Sequence, residues 1–180
     1  IRQRDPNHLD GGRRWRHQSL RESSARRRPG WRVRRICDRL RSDPSLLDSA
    51  VEEVVRWSSP ILYFRRTATC DTELSGTKIA AGDKIVMWYA GANFDPAQFP
   101  NPHKFDVGRP RVPTNVAFGG GGAHFCLGAS LARMELAILI EEVLAANVDL
   151  ELLQPMKYVN SNFVNGVTEA HIAVKKRNQK

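Results

Sequence analysis

Cysteine is scarce in this chain. Three in 180 residues, Cys37, Cys70 and Cys126, are too few and too widely spaced for a disulfide framework or a cysteine-rich zinc module. No stretch approaches the roughly 18 consecutive apolar residues of a membrane span, and no apolar secretory leader opens the chain. A reduced, cytoplasmic setting without a membrane span is the expectation. Lysine is missing from residues 1–41, which hold 14 arginines against four acids (Asp5, Asp10, Glu22 and Asp38), a balance of +10. Residues 42–180 hold 14 basic and 15 acidic residues, so the net charge of +9 belongs to the head of the chain.

The head also has few aliphatic residues and shows neither helical periodicity nor alternation. Blocks of like charge stay solvated, so residues 1–41 are expected to be a disordered head before a nearly neutral domain, residues 42–180. An arginine arm can neutralise phosphates, but no recognised nucleic-acid fold accompanies it.

From Ser42 the pattern changes. Asp43 and Pro44 suit a helix start, and Leu46, Leu47, Ala50, Val51, Val54 and Val55 recur at helical spacing up to Ser58-Ser59-Pro60. Residues 61–69 and 77–80 read as strands, and Ala81-Gly82-Asp83 as a turn into a strand over Lys84–Tyr89. Five prolines between 92 and 117 predict an irregular, packed connection. A helix is expected from about Leu127 to Ala146, with Leu127, Leu131, Met134, Ile138 and Leu139 on its buried face. Strands at Val148–Leu152 and His171–Val174 close the chain, with Asn165-Gly166 as a turn between them.

The most informative segment is Phe118-Gly-Gly-Gly-Gly-Ala-His124-Phe-Cys126-Leu-Gly128. Consecutive glycines let a backbone approach a flat or bulky partner. A phosphate loop would need Lys-Ser or Lys-Thr after the glycines, and Ala123-His124 stands there instead. A dinucleotide fingerprint fails for lack of its third glycine, and zinc would need more ligands nearby. No Cys-x-x-Cys-His occurs for covalent haem attachment. What remains is a cysteine at a helix start, where the helix dipole favours a thiolate of the kind that ligates haem iron. By themselves these residues favour a buried, inert cysteine over a ligand.

The segment resembles the cysteine-ligand loop of the cytochrome P-450 superfamily, the haem-thiolate monooxygenases. Gly122, His124 and Gly128 match its positions around Cys126, and Gly121 matches loosely. Phe118 stands eight residues before Cys126 where the common pattern has seven, so the shelf under the haem is expected to be shifted. Glu53-Val54-Val55-Arg56 is similar to the family's Glu-x-x-Arg. Taken alone, such a pair is a common surface contact. In the family it turns inward and is completed from the connection ahead of the loop, here Pro102-x-x-Phe105-x-x-x-Arg109, which makes Arg109 the third member. Phe64-Arg65-Arg66-Thr67-Ala68 matches a third motif. The resemblance gives Arg66 and His124 the two haem propionates, and Ile61, Leu62, Tyr63, Phe163 and Val164 the substrate pocket, where ordinary core packing is the alternative.

The resemblance covers about Ser42 to Val174. It implies a mainly α fold with small β-sheets, the C-terminal part of the cytochrome P-450 fold: Glu-x-x-Arg helix, β-sheet, meander, Cys-ligand loop, proximal helix and C-terminal hairpin. It implies haem b (iron protoporphyrin IX) on Cys126, and a monooxygenase that takes two electrons from a ferredoxin and its reductase. One atom of O2 enters a C–H bond of a hydrophobic substrate, and the wording of the motifs is similar to the bacterial branch that oxidises steroids and methyl-branched lipids. The distal helix, with its acid–alcohol pair, has no match in residues 1–52. A natural truncation, or a head read out of frame, would each account for that. Arg14-Trp15-Arg16-His17-Gln18-Ser19 can be encoded so that a reading one base later gives Ala-Gly-Asp-Thr-Ser. Two other readings stand beside the enzyme: a catalytically silent haem-binding fragment, and an arginine-rich binder of nucleic acid or an acidic partner.

Overall fold

The computed structural model describes residues 30–110 and 115–177. Helix α1 (Gly30–Ser42) leads through a 3-10 turn (Pro44–Leu46) into α2 (Leu47–Ser58). Four strands follow, β1 (Tyr63–Thr67), β2 (Thr72–Leu74), β3 (Thr77–Ile79) and β4 (Lys84–Trp88), and then a short helix α3 (Tyr89–Asn93). After the connection and the glycine loop come α4 (Ala129–Ala145), β5 (Val148–Leu152), β6 (Lys157–Tyr158), β7 (Val167–Glu169) and β8 (Ile172–Lys176). The strands pair as four antiparallel ribbons, β1–β4, β2–β3, β5–β8 and β6–β7.

Helix α1 falls in the stretch expected to be irregular, and its presence corrects that expectation for residues 30–41. Val33, Ile36, Cys37 and Leu40 stand at i, i+3, i+4 and i+7, a stripe narrow enough to be masked by the surrounding arginines. Leu40 is buried with Ala50 and Val107, and Ile36, Leu46, Phe105, Ile140 and Leu144 pack against them. The Arg41 guanidinium donates to the Leu144 and Val148 carbonyls at 3.4 and 3.5 Å, and Arg177 Nη1 donates to Asp38 Oδ1 at 2.6 Å, which ties α1 to α4 and to the end of β8. Residues 1–29 of the expected head lie outside the described residues.

Asp43 caps the 3-10 turn by accepting from the Ser45 N–H at 3.2 Å. Helix α2 ends at Ser59, whose left-handed φ of 36° turns the chain toward Pro60. In β1–β4, Tyr63 pairs with Trp88 and Thr67 with Lys84, and the turn before β4 uses Gly82 at φ 90°. The expected single turn between the last two strands is instead an inner ribbon. β5 pairs with β8, while β6 and β7 pair inside them with Asn165 and Gly166 in their connection.

The proline-rich connection is held from inside by charge. Arg56 forks onto Glu53, Nε to Oε2 at 2.7 Å and Nη2 to Oε1 at 2.9 Å, while Glu53 is 2% exposed and Arg56 1%. The same guanidinium donates to the Asn93 carbonyl at 2.8 Å and the Pro102 carbonyl at 3.1 Å. Arg109 Nε reaches Glu53 Oε2 at 3.0 Å, and the rest of its guanidinium donates to the carbonyls of Pro100, Asn101 and Lys104. Asn93, fully buried, donates from Nδ2 to Ser59 Oγ at 2.9 Å and accepts the Val116 N–H on Oδ1 at 2.8 Å. One carboxylate and one amide thus bind α2, α3 and both described ends of the connection.

Asp106 extends this binding to α1. Its carboxylate accepts from Arg39 Nη1 at 2.8 Å, Gly108 N–H at 3.0 Å and Lys104 Nζ at 3.1 Å. A Cβ at position 108 would stand 2.1 Å from Arg39 Nη2, so a side chain there would displace the Arg39 guanidinium. Burial alone would raise the Asp106 carboxyl, but these donors bring it down from 3.8 to about 2.

Two predictions follow from these contacts. Glu53→Ala and Arg56→Ala should each lower unfolding stability by about 3–5 kcal/mol, because each breaks the buried pair and leaves its partner's charge under-compensated. Asn93→Ala should cost about 1–3 kcal/mol through the stranded Val116 N–H. Urea unfolding measures all three, and losses of only a few tenths would contradict the network. The lowered Asp106 pKa means its contribution is complete above its ordinary value of 3.8 and is lost as pH falls through about 2. Asp106→Asn should therefore flatten the acid limb of the stability curve in that window, and an unchanged limb would contradict it.

Candidate cofactor site

The glycine loop leaves the core at Asn115, which is buried, and Asn115 Oδ1 accepts the Ala117 N–H at 3.1 Å. Gly119 N–H bonds the Val116 carbonyl at 2.9 Å, and Gly119, Gly121 and Gly122 all take left-handed φ, 98°, 104° and 76°. Residues with a Cβ rarely hold these angles, so glycine is favoured by conformation at 119, 121 and 122. Phe125 N–H returns to the Gly122 carbonyl at 3.1 Å, and Cys126 N–H to the Phe118 carbonyl at 3.0 Å. Phe118 and Cys126 are thus in direct backbone contact, with the longer spacing between them taken up by the left-handed glycines.

Cys126 precedes the helix by one turn. Its carbonyl accepts the Ala129 N–H at 3.2 Å, and α4 runs from Ala129 rather than from Leu127. The thiol is exposed, as are His124, Phe125 and Leu127. Gly128 adjoins the sulfur: a Cβ there would stand 4.0 Å from Sγ, in ordinary contact. Cys37, by contrast, is half-buried on α1, and burial pushes its thiol up against the pull of Arg41. Among the described residues no group of three or more His, Cys, Asp or Glu side chains converges on a common point.

The expected buried face of α4 is not buried, and this corrects the sequence reading. Leu127, Leu131, Met134, Ile138 and Leu139 are all exposed, while Ala129 is buried and Ile140 and Leu144 meet the core. The helix is apolar on nearly every side, so periodicity could not choose which face packs on α1 and α2.

Arg66 shares a face of β1 with Phe64, and its guanidinium lies 5.8 Å from that ring. Phe64 meets Tyr89 at 5.7 Å between centroids, and the Tyr89 hydroxyl is 3.6 Å from where a Gly119 Cβ would stand. The strand therefore reaches the glycine loop through two rings, with Arg66 exposed at its outer end and without an ion pair among the described residues. The five residues expected to form a pocket do come together. Ile61 bridges Val164, Leu62 N–H bonds the Phe163 carbonyl at 2.9 Å, and Phe163 packs on the rings of Tyr63 and Phe64 at 5.7 and 5.5 Å.

Sequence reasoning missed Asn93, Glu52, Asn115 and Tyr89, and gave Arg133 no role. Arg133 Nε donates to Glu52 Oε1 at 2.6 Å, and its guanidinium lies 4.7 Å from the Phe118 ring centroid. Their one signal is proximity: Glu52 adjoins Glu53, and Arg133 closes the run that opens at Cys126.

Comparison with known proteins agrees with this geometry. Residues 20–162 match the cytochrome P450 family. The chain is 47% identical over 131 residues to a methyl-branched lipid omega-hydroxylase of Mycobacterium tuberculosis (strain ATCC 25618 / H37Rv), covering 72% of this chain and 30% of that protein. It is 42% identical over 127 residues to a steroid C26-monooxygenase of Rhodococcus jostii (strain RHA1), covering 71% and 27% respectively. The crystal structure of CYP108D1 from Novosphingobium aromaticivorans DSM12444 superposes with a TM-score of 0.73 at 43% identity, over 87% of this chain and 36% of that one. The chain spans about a third of the length of these relatives, and it belongs to the cytochrome P450 family.

Proposed function

We propose that the chain supplies the cysteine-ligand side of a haem-thiolate monooxygenase, with Cys126 as the axial ligand. The observation that carries this reading is the exposed Cys126 thiol at the mouth of a loop whose left-handed glycines hold its backbone. Haem b is the cofactor of the family, and the residues present fit it. A thiol ligand stands among the apolar side chains of Leu127 and Phe125, with His124 beside them and Arg66, without an ion pair among the described residues, beyond Tyr89. That is the donor set for an apolar macrocycle that carries one metal and two carboxylates.

Bound haem supplies the activation of O2 for insertion into a C–H bond, and a thiolate ligand pushes electron density toward its iron. The chain's own residues hold and screen it. Arg66 would offer a planar fork to one propionate and His124 a ring N–H to the other, while Gly122 and Gly128 would leave room for the macrocycle. Phe118 lies behind the loop as part of the same shelf. Ile61, Leu62, Tyr63, Phe163 and Val164 form the apolar wall against which a hydrophobic substrate rests and from which water is excluded. A sterol or methyl-branched lipid suits this wall, and the names of the two curated relatives support that class. Electrons come from a ferredoxin and its reductase, in a cytoplasmic setting that keeps the three cysteines free; no helix among the described residues is long and apolar enough to cross a membrane. A second reading, a haem-binding fragment without turnover, is favoured by the bare apolar row on α4.

Haem titration and reduced carbon monoxide spectra test the assignment. Cys126→Ala should abolish the long-wavelength band of thiolate-ligated haem, whereas Cys70→Ala should leave the spectrum unchanged. A wild-type spectrum from the Cys126→Ala protein would refute the ligand. Arg66→Leu should weaken haem binding about tenfold to a hundredfold, the range of a charge-assisted hydrogen bond. Arg65→Leu, on the opposite face of β1, should change it little. Hydroxylation assays with a sterol or branched fatty acid then separate the enzyme from the silent fragment.

A further inference from the structure

We infer that Glu52 and Arg133 are positioning residues that set the aim of the Cys126 sulfur from behind the loop, an inference that rests on the haem-thiolate reading above. The two residues are 81 positions apart, on α2 and α4, and both are partly buried. Glu52 Oε1 accepts from Arg133 Nε at 2.6 Å, and Oε2 receives Arg133 Nη2 at 3.4 Å. The same Oε2 accepts from Asn115 Nδ2 at 2.8 Å. One carboxylate on α2 therefore grips both the residue where the loop begins and the N-terminal part of the helix where it ends.

The grip reaches the cysteine in two steps. Asn115 Oδ1 takes the Ala117 N–H at 3.1 Å, which places Phe118, and the Phe118 carbonyl takes the Cys126 N–H at 3.0 Å. From the other side, the Arg133 guanidinium covers the Phe118 ring at 4.7 Å and donates weakly to the Ala129 carbonyl at 3.4 Å. Arginine alone combines a flat cation that stacks on an aromatic ring with a fork that holds a carboxylate. The loop needs such outside support, because its glycines have the largest conformational freedom to lose and no side chains to pack. A ligand atom is held to useful tolerance only when the residues behind it are themselves fixed. Neither Glu52 nor Arg133 touches the sulfur.

The test uses the full 180-residue chain and two readouts. In the haem-free protein, hydrogen exchange is followed at the Cys126 N–H and at the Tyr89 N–H, which bonds the Leu62 carbonyl at 2.9 Å away from the clamp. Arg133→Leu should lower protection at Cys126 about tenfold, the loss of one charge-assisted contact, and leave Tyr89 unchanged. Arg133→Lys, which keeps the cation and loses the flat stack, should fall between, as should Glu52→Gln, which keeps the Asn115 acceptor; these two decide the matter if Arg133→Leu does not fold. In the haem-loaded protein the thiolate-ligated fraction of the reduced carbon monoxide complex should fall in the same order. Equal loss of protection at Cys126 and Tyr89 would overturn the inference, since it would show a general loss of stability. Unchanged protection at Cys126 would overturn it as well. A wild-type chain that takes up no haem would defeat the functional reading, while the exchange ratio would still decide the clamp.

Discussion

The cysteine side of this molecule depends on the carboxylate of Glu53. Its two oxygens receive four donors: Nε and Nη2 of Arg56, Nε of Arg109 and the backbone N–H of Asp106, the last at 2.8 Å. Taking three charges out of water is costly, and such clusters persist only when the remaining donors are satisfied. Here the surplus donors of the two arginines meet the carbonyls of Asn93, Pro100, Asn101, Pro102 and Lys104. A proline-rich segment carries more acceptors than donors, because proline has no N–H. Arginine, with five donors and no acceptor, is the side chain that corrects that imbalance. The Arg56 guanidinium also lies between 5.0 and 5.6 Å from the rings of Trp57, Phe94 and Phe99, so its charge meets aromatic faces where no oxygen reaches it.

Two adjacent glutamates on α2 divide the work. Neighbouring helix positions point about 100° apart, so Glu53 turns into the connection while Glu52 turns across to Asn115 and Arg133. The first fixes the path of chain that delivers the loop, and the second brackets the loop itself. Asn93 joins the two, since it holds the Arg56 guanidinium through its carbonyl and the Val116 N–H through its side chain. A glycine-rich loop with few side chains of its own is thus held at both ends by polar groups that stand outside it.

Local pattern made much of this legible. The periodicity of residues 46–55, the Asp43-Pro44 start, the turn at Gly82 and the glycine run before Cys126 each depend on neighbours in sequence, and the structure forms an element at each. Features that depend on distant partners were not legible. The stripe of α1 was hidden by arginines whose own partners, Asp106 and Asp149, lie far along the chain. The inward turn of Glu53 could be read only through a resemblance, because Glu-x-x-Arg at helical spacing is equally suited to a solvated face. The pair Glu52–Arg133 has no spacing to betray it. In the tail, Asn165-Gly166 was a sound turn signal, but it could not reveal that β6 and β7 pair inside β5 and β8.

The misjudged face of α4 carries the last point. A helix apolar on nearly every side belongs at the centre of a protein rather than at its surface. One side, with Ala129, Ile140 and Leu144, is occupied by α1 and α2, and the other shows Leu131, Met134, Ile138 and Leu139. Those residues continue, at spacings of three to four, an open surface that begins at Cys126 and Leu127. The thiol and the bare helix face are therefore one apolar surface, not a binding site with an unrelated patch beside it. Behind it stand the charges of Glu52, Glu53, Arg56, Arg109 and Arg133, which need a polar network to be buried at all. In front, Leu127, Leu131, Met134, Ile138 and Leu139 gain by leaving water, with the exposed Glu135, Glu141 and Glu142 along their margins. Among the described residues this side of the molecule therefore joins a buried ionic network behind to an open, largely apolar surface in front.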